Sequence, residues 1–376
     1  MDEFFKALPK AELHVHIEGT LTPARAKAIA LRNGLALPQA ASSRVYAPGN
    51  EALNSFLNEY NQRVSVLRTA DDFRDVMLDY LQRAVEDGVK LAEVMVDPQI
   101  HCYEPTNDRH AVGKPRLNFD VVIDGLWQGI KQAKATWGID AGLIMCFLQD
   151  RSLEEADAML TQAIPHCDKL LAVGMDNGTG SYGPGSTSRF KPVYARAAEH
   201  GLRLIAHAGE EEGAQCVRMA LDVLNVDRID HGVRALEDPD LIKRLAREGV
   251  PLTVCPLSNE ILGLHSTYFQ GQCPLRRLID AGVPISLNSD DPAYFASGAV
   301  DEHCRSIDDS YDGYIAATYR WTAHACALTH DECVRIAEAS FRSSFASEEA
   351  KRSYLAEVRA HWQAWQCKAS KGSDKL

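Results

Sequence analysis

Short apolar runs rich in strand-forming residues recur along the chain, and longer amphipathic segments separate most of them. Eight of these runs read as strands, and they cover residues 11–17, 90–98, 141–148, 170–176, 202–209, 227–232, 250–256 and 283–291. Repeated strand–helix–strand succession implies parallel pairing, for which a closed (β/α)8 barrel is the simplest architecture. The pattern therefore predicts an α/β protein of the TIM-barrel type.

Amphipathic helices fill the intervals between the predicted strands. The clearest helical signals lie at residues 119–137, 152–155, 239–250 and 329–332. The first has apolar residues at helical spacing, and Ser152 with Glu155 has the spacing of a capping box. Residues 20–88, after the first strand, are also mostly helical in pattern and predict extra helices over the barrel mouth. Further helices are expected at the C-terminus.

The chain contains no internal repeat, low-complexity tract or linker that would divide it. We therefore expect one domain over residues 1–376, with the barrel core at about 8–345. An open doubly wound sheet is the alternative fold, but no glycine-rich phosphate-binding fingerprint follows any predicted strand. The run NGTGSYGPGSTS, residues 177–188, lacks the glycine–lysine order of a P-loop and reads as a flexible loop.

Composition narrows the class of protein. Of the 376 residues, 45% are hydrophobic and 24% are charged, which is ordinary for a globular protein with a large core. The formal net charge of −12 argues against a nucleic-acid backbone or an anionic membrane as partner. No apolar run would span a bilayer, the N-terminus lacks signal-peptide features, and the ten cysteines include no CxxC pair. These features predict a cytoplasmic protein with reduced thiols.

The first predicted strand contains two histidines, His14 and His16, within KAELHVHIEGT. Side chains two residues apart point to the same face of an extended strand. A face with two imidazoles at this spacing is either a solvated edge or half of a metal site. The ends of the other strands decide between these alternatives.

Unusual polar residues occur at the ends of four predicted strands. They are His14 and His16 on the first strand, His207 and Glu210 on the fifth, His231 on the sixth, and Asp290 and Asp291 on the eighth. Each alone has an ordinary structural alternative, such as a hydrogen-bonded histidine or a turn before proline. In a barrel of this type, however, catalytic groups gather at the C-terminal ends of the strands. The coincidence favours a metal site.

Three imidazoles and one carboxylate form a zinc-binding set that leaves a position for water. The residues that can supply this set are His14, His16, His207 and Asp290. Glu210 is placed to move protons without binding the ion, and His231 to hydrogen-bond the attacking oxygen. A second metal would need a bridging group such as lysine at the end of the fourth strand, where this chain has Asp176. One zinc ion per subunit is the expectation.

Five motifs, LHVHIEGT, AHAGEE, RIDHG, CPLSN and LNSDDP, resemble in this order those of the adenosine and adenine deaminase family of the amidohydrolase superfamily. The resemblance implies a zinc-containing barrel that removes a purine amino group hydrolytically as ammonia. It makes the four residues above the zinc ligands, Glu210 the proton donor and His231 the residue that positions water. It also implies that Asp291 contacts the five-membered ring of the purine, and the backbone of Gly174 its six-membered ring.

The resemblance leaves a choice between a free base and a nucleoside. Glu18 stands in HIEG where adenosine deaminases carry an aspartate that meets the sugar. A carboxylate longer by one methylene could occupy the room that a ribose needs, or it could be a loop carboxylate without a part in selectivity. The segment DPQIH also resembles the adenine-specific branch and makes His101 a candidate neighbour of the pocket. We expect conversion of adenine to hypoxanthine, with adenosine or N6-substituted adenines as alternative substrates.

Other functions stay open at this point. They are a different amidohydrolase reaction, on a cyclic amide, a pterin or a pyrimidine, and an inactive homologue that binds a purine or a protein partner. The complete set of polar residues at the strand ends argues against the inactive homologue. Residues 105–116 and 177–188 depart from the family pattern, so the tolerance of larger substrates is undecided. An exposed apolar helix face would be compatible with a homodimer.

Overall fold

Parallel strands form the centre of the fold in the computed structural model of the protein, which describes residues 2–36, 50–105, 111–176, 184–295 and 314–373. The strands are β1 (Lys10–His16), β2 (Val89–Val96), β3 (Asp140–Leu148), β4 (Leu170–Asp176), β5 (Arg203–Ala208), β6 (Arg228–His231), β7 (Leu252–Val254) and β8 (Ile285–Leu287). Each strand pairs with the next one, so the order in the sheet is the order in the chain. All eight predicted strands are confirmed, and with them the (β/α)8 barrel.

The barrel closes between β8 and β1 through residues just beyond the last strand. Val15 and Asp290 form an isolated parallel bridge. The amide of His16 donates to the carbonyl of Asp290 at 3.0 Å, and the amide of Asp290 donates to the carbonyl of His14 at 3.2 Å. The backbone of Asp290 therefore joins the strand that carries two predicted metal ligands to the segment that carries another.

Helices alternate with the strands and cover the outside of the barrel. They are α1 (Asp2–Ala7), α2 (Pro23–Arg32), α3 (Asn50–Val64), α4 (Ala70–Glu86), α5 (Pro98–Cys102), α6 (Phe119–Trp137), α7 (Leu153–Ala163), α8 (Pro184–Ser188), α9 (Lys191–Glu199), α10 (Ala214–Met219), α11 (Pro239–Glu248), α12 (Pro256–Ile261), α13 (Leu264–Tyr268), α14 (Leu275–Asp280), α15 (Ile315–Ala325), α16 (His330–Ser343) and α17 (Glu348–Ser373). Thr329 and Glu332 form both hydrogen bonds of a capping box at the start of α16. At α7, Ser152 accepts from the amide of Glu155, which caps the helix as predicted. Within the described residues, no helix combines the length and the apolar character that crossing a bilayer requires.

The segment between β1 and β2 folds into helices, as its pattern predicts. Helix α3 reaches the loop that follows β8, where the ring of Phe56 lies 5.2 Å from that of Tyr294 and 4.9 Å from that of Phe295. The ring of Tyr60 lies 5.7 Å from that of Tyr294. Because the β8 loop belongs to the C-terminal end of the barrel, these contacts place α3 over the barrel mouth.

Two segments that depart from the family pattern are described only in part. Residues 106–110 and 177–183 lie outside the described residues. The last part of the predicted flexible loop is helical, because Pro184–Ser188 forms α8. The amide of Gly113 donates to Oε2 of Glu155 at 2.8 Å, so the segment before α6 packs back onto α7.

The barrel interior contains an apolar layer below the polar mouth. Met95, Ile144, Cys146, Ala172 and Ile205 form a fully buried cluster of their own. Arg228 and Glu93 form an ion pair at 2.6 Å, with both side chains fully buried. Since Arg228 begins β6 and Glu93 precedes Met95 on β2, this pair lies toward the N-terminal end. The apolar layer separates it from the polar residues at the strand ends.

Candidate active site

Three histidines and one aspartate converge at the C-terminal end of the barrel. One ring nitrogen from each of His14, His16 and His207 lies within 4.8 Å of the others. Oδ1 of Asp290 lies 3.2 Å from Nε2 of His14 and 3.4 Å from Nε2 of His16. All four residues are buried. The structure thus brings the four predicted ligands together in a cluster that could hold a metal ion.

Hydrogen bonds on the far side of two rings determine which nitrogens are available to an ion. Thr253 donates its hydroxyl hydrogen to Oδ1 of Asp230 at 2.7 Å, so its oxygen accepts from Nδ1 of His14 at 3.1 Å. The carbonyl of Met175 can only accept, so Nδ1 of His207 donates to it at 3.0 Å. Both rings therefore direct the lone pair of Nε2 into the cluster. Nε2 of His14 is buried and makes no hydrogen bond within the described part of the chain.

The charges around the cluster also favour a cation. Burial opposes the ionisation of Asp290, but the nearby rings of His14 and His16 hold the pKa of its carboxyl group well below the usual range. Burial lowers the pKa of His207, which favours the neutral ring that binds metals. Burial acts in the same direction on His16, yet nearby carboxylates, Asp176 foremost, raise its pKa well above the usual value. Three nitrogens and a carboxylate in such surroundings are suitable ligands for a divalent cation.

Two residues of the site have a left-handed backbone conformation. Asp290 has a φ of 66° and His231 has a φ of 60°. Few residues other than glycine adopt this conformation, and the strain is characteristic of functional sites. At Asp290 the same backbone makes the two hydrogen bonds that close the barrel. The closure of the barrel therefore holds this carboxylate toward the histidines.

Glu210 and His231 lie beside the cluster and share a contact with Asn259. Nδ2 of Asn259 donates to Oε1 of Glu210 at 3.1 Å and lies 3.3 Å from Nδ1 of His231. Nε2 of His231 is 3.6 Å from the same oxygen of Glu210 and 4.0 Å from Oδ2 of Asp290. Burial, followed by the charge of His14, lowers the pKa of His231 well below its usual value. A neutral ring whose Nδ1 faces a donor carries its hydrogen on Nε2, so His231 presents a donor between two carboxylates.

Asp291 is buried against the backbone of Gly19, in the HIEG motif. A Cβ atom on Gly19 would lie 1.9 Å from Oδ1 of Asp291 and 2.8 Å from its Cα, so only glycine leaves room for this carboxyl group. Oδ1 of Asp291 has no hydrogen-bond partner among the described residues. Burial, and then the charge of Asp290, raises the pKa of Asp291 well above its usual value. This favours a protonated carboxyl group, which can donate a hydrogen bond.

Glu18 lies at the same end of the barrel and is fully buried. Its Oε1 accepts a hydrogen bond from the amide of Asp97 at 3.2 Å and another from Nε2 of His101 at 2.8 Å. The ring of Phe73 packs edge-on against His101, with 4.9 Å between the centroids. The structure therefore pairs Glu18 with the histidine that the DPQIH segment indicated as a neighbour of the pocket.

Gly174 lies inside the barrel, two residues before the end of β4. A Cβ atom at this position would lie 2.7 Å from Sγ of Cys146 and 3.2 Å from Cγ1 of Ile205, both in the apolar layer. At the strand end, Oδ2 of Asp176 lies 3.1 Å from Nδ1 of His16. The structure thus places Asp176 beside the candidate metal cluster, whereas the contact of Gly174 with the purine stays a prediction.

Some residues of the site had no role predicted from the sequence. Those that support a predicted ligand or catalytic side chain are Asp176, Asp230, Thr253, Ser258 and Asn259. Asp176 and Asp230 carried a usable signal, since each is an acidic residue near the end of an apolar strand. Tyr60 carried no such sequence signal, because it lies in helix α3 and not near the end of a strand. Burial, and then the charges of Glu18 and Asp97, raise the pKa of Tyr60 well above its usual value, so its hydroxyl stays protonated.

Comparison with known proteins agrees with this geometry. The family model described as Adenosine deaminase matches residues 9–361. The chain belongs to the adenosine deaminase family. The adenine deaminase of Cupriavidus taiwanensis is 42% identical over 363 residues, which cover 96% of this chain and 94% of the relative. The adenine deaminase of Streptomyces coelicolor is 42% identical over 357 residues, which cover 94% of this chain and 96% of the relative.

A solved structure extends the comparison to three dimensions. The crystal structure of an adenine deaminase from Arthrobacter aurescens superposes with a TM-score of 0.80 at 37% identity, and the match covers 95% of this chain and 100% of that one. The barrel of this adenosine deaminase family member therefore agrees with a solved one along nearly its whole length. The family inferred from the five motifs is confirmed.

Proposed function

We propose that this member of the adenosine deaminase family is a zinc-dependent adenine deaminase, which hydrolyses adenine to hypoxanthine and ammonia. The bacterial relatives at 42% and 37% identity are adenine deaminases and align over almost their full length. The observation that carries the proposal is the position of Glu210 and His231 beside a buried cluster of three histidines and one aspartate. This arrangement combines a candidate metal site with a proton carrier and a hydrogen-bond donor.

Zinc is the ion that best fits this set of donors, and one ion per subunit is proposed. The residues that would hold it are His14, His16, His207 and Asp290. When bound, zinc lowers the pKa of a coordinated water to about 7 and so supplies a nucleophile at neutral pH. The end of β4 provides Asp176 and no lysine, which supports a single ion.

The chain's own residues would divide the remaining chemistry. Glu210, held by Asn259, protonates a ring nitrogen of adenine and makes the carbon that bears the amino group more electrophilic. His231 donates from Nε2 to the attacking oxygen and stabilises the charge that develops there. Asp291 donates to a nitrogen of the five-membered ring and orients the base. The hydroxyl group added to this carbon then gives up its proton, which is transferred to the amino nitrogen, the carbon–nitrogen bond breaks, and ammonia leaves hypoxanthine behind.

A paired substrate assay on one preparation of known zinc content tests the proposal. Adenine and adenosine are supplied separately, and ammonia release is measured together with the loss of substrate absorbance. We expect a kcat/KM for adenine that exceeds that for adenosine by about 100-fold or more, because an unsuitable ribose would disturb buried polar groups. A preference for adenosine would replace the proposal with adenosine deamination. Turnover of a pterin or pyrimidine alone would indicate a different amidohydrolase.

The extent of the domain, the binding partner, the location and the oligomeric state also stay proposals or predictions. We propose that residues 1–376 act as one catalytic domain, since the family model spans 9–361 of the chain. A purine is then the small-molecule partner. A cytoplasmic location, a homodimer and the lack of a nucleic-acid partner stay predictions from composition and pattern.

A further inference from the structure

Glu18 has one oxygen with partners and one oxygen without. Oε1 accepts hydrogen bonds from the amide of Asp97 and from Nε2 of His101. Oε2 is buried and has no hydrogen-bond partner within the described residues. A buried carboxylate oxygen without a partner is unfavourable, so Oε2 is well suited to accept a hydrogen bond from a ligand.

The backbone brings Glu18 next to the residue that is proposed to orient the purine. Gly19 follows Glu18 directly and is in contact with the carboxyl group of Asp291. The carbonyl of Gly19 accepts from the amide of Ala293 at 3.0 Å, which ties this turn to the loop after β8. Gly19 therefore links Glu18 to Asp291 and to the loop after β8 at the mouth of the barrel.

His101 determines how the Glu18 carboxylate is oriented. It lies on α5, which begins directly after β2, and its side chain is buried against Phe73. Two donors, one on the imidazole and one on the Asp97 amide, meet at the same oxygen of Glu18. Their combined effect is to hold Oε1 and to leave Oε2 as the only oxygen of this carboxylate that is available to a ligand.

A free purine base and its nucleoside differ at the five-membered ring. The free base carries a hydrogen on a nitrogen of that ring, whereas N9 of a nucleoside carries the ribose. We propose that Oε2 of Glu18 accepts the N9–H of the free base and that His101 is the positioning residue for this contact. The inference rests on the proposed function and names its specificity determinant. The site would then recognise the free base by the hydrogen on N9, and a lack of space for the ribose could add to this selectivity.

Glu18→Gln separates hydrogen bonding from space, because glutamine has nearly the same size. The amide of Asp97 and the imidazole of His101 both donate, so they would orient the new amide oxygen toward themselves. The amide nitrogen would then stand in the position of Oε2, where it cannot accept a hydrogen bond. Adenine would lose its contact, whereas 9-methyladenine has no ring hydrogen to lose.

The test compares kcat/KM for adenine and 9-methyladenine in the zinc-loaded full chain. We expect the wild-type protein to prefer adenine by about 100-fold or more, because a site built for a substrate N–H rejects an analogue that lacks it. In Glu18→Gln the preference should fall to about 10-fold or less, through loss of activity on adenine. An unchanged preference in this variant would overturn the inference in favour of exclusion by space. Equal use of both bases by the wild type would overturn it as well, while lack of adenine turnover would also overturn the proposed function.

His101 is tested with a pair of variants. His101→Leu removes the donor, whereas His101→Gln keeps an N–H near the position of Nε2. We expect the leucine variant to lose about 10-fold or more of the preference for adenine, mainly through a higher KM, and the glutamine variant to keep it within about 3-fold. His166→Leu is the matched control, because it also removes a histidine that is paired with a carboxylate, but on the outer surface. Nε2 of His166 lies 2.8 Å from Oδ1 of Asp120.

Zinc content and the thermal midpoint are measured for every variant, so that loss of structure is recognised. Equal loss of preference in both His101 variants would overturn the positioning role. The same loss in His166→Leu would overturn it too, because the effect would not be specific to the pocket. Restoration of the preference in His101→Gln supports it.

Discussion

The two ends of the barrel bury charged groups in opposite ways. At the N-terminal end, Nη1 of Arg228 donates to Oε2 of Glu93 at 2.6 Å, and the same guanidinium donates to the carbonyls of Leu13 and Ser343. At the C-terminal end, the buried atoms without a hydrogen-bond partner in the described residues include Nε2 of His14, Oε2 of Glu18, Oδ1 of Asp97 and Oδ1 of Asp291. At the N-terminal end the buried charges pair with each other, although Nε of Arg228 has no hydrogen-bond partner in the described residues, whereas the C-terminal end leaves several acceptors open.

This difference separates structural from functional burial. A buried ion pair with further hydrogen bonds is held by partners from several elements, and removal of one partner leaves an uncompensated charge. A buried acceptor without a partner is unfavourable by itself and becomes favourable when a ligand supplies the missing donor or cation. Variants at the mouth should therefore change chemistry, whereas variants at the other end should change stability.

The largest effect is expected for Glu210→Gln at the mouth. Glutamine keeps the size of the side chain but cannot transfer a proton, so kcat for adenine should fall by about 1,000-fold. Zinc content should stay at the wild-type level, because Glu210 is not one of the four proposed ligands. Ammonia release and metal analysis on the same sample measure both quantities. Near-normal turnover would remove Glu210 from the mechanism, and loss of zinc would move it into the ligand set.

Glu93→Gln should produce the next largest effect, at the opposite end. It leaves the fully buried Arg228 without its charged partner, so the free energy of unfolding should fall by about 3–5 kcal/mol. The kcat of the protein that remains folded should not change, because the apolar layer separates this pair from the site. Urea unfolding and adenine turnover measure the two quantities. The double variant with Glu93→Leu and Arg228→Met is the control, and it should recover much of the lost stability.

Gly19→Ala is expected to lower activity with a smaller effect on stability. The added Cβ atom would lie 1.9 Å from Oδ1 of Asp291, so this carboxyl group has to move. A displacement of about 1 Å in a substrate-orienting group can lower kcat/KM by about 100-fold. Gly185→Ala serves as the control for the backbone, since nothing lies within 4 Å of its Cβ position and, as at Gly19, its φ is not in the left-handed region. Unchanged kcat/KM for adenine in Gly19→Ala would argue against a role of Asp291 in orienting the base.

The smallest effect concerns pH and Lys10, at the start of β1. Burial, partly opposed by the charge of Asp87, lowers the pKa of Lys10 from 10.5 to about 7. Between these two values the unfolded chain binds a proton that the folded protein has lost, so the free energy of unfolding should rise with pH. The slope from this group is at most about 1.4 kcal/mol per pH unit. Lys10→Met should lack this slope in urea unfolding between pH 7 and 9, and a parallel pH dependence in both proteins would contradict the assignment.

Much of the fold and of the candidate metal cluster could be predicted because both depend on short local patterns. Apolar runs of strand length indicated each barrel strand, and the polar residues that follow them indicated the mouth. The predicted ligands His14 and His207 converge because parallel strands place their C-terminal ends at one rim. The backbone contact of Gly174 with the purine stays a prediction, because the structure shows only that the Cβ position of this residue faces the apolar layer.

The partners of the site residues were not predictable, because they come from distant parts of the chain. Thr253 sets the hydrogen position on His14 although 239 residues separate them. Asn259 contacts Glu210 and His231 from a helix that follows another strand. Local spacing contains no information about such pairs, because each of them exists only after the barrel has closed.

The sequence by itself determined the barrel, the family and the kinds of side chain at each strand end, since spacing within short segments specifies all of these. Only the tertiary structure decided which buried groups are satisfied and which stay open to a ligand. Whether a polar atom has a partner depends on its distance to atoms on other strands. Those distances follow from the way Asp290 joins β8 to β1 and from the packing of the helices over the mouth.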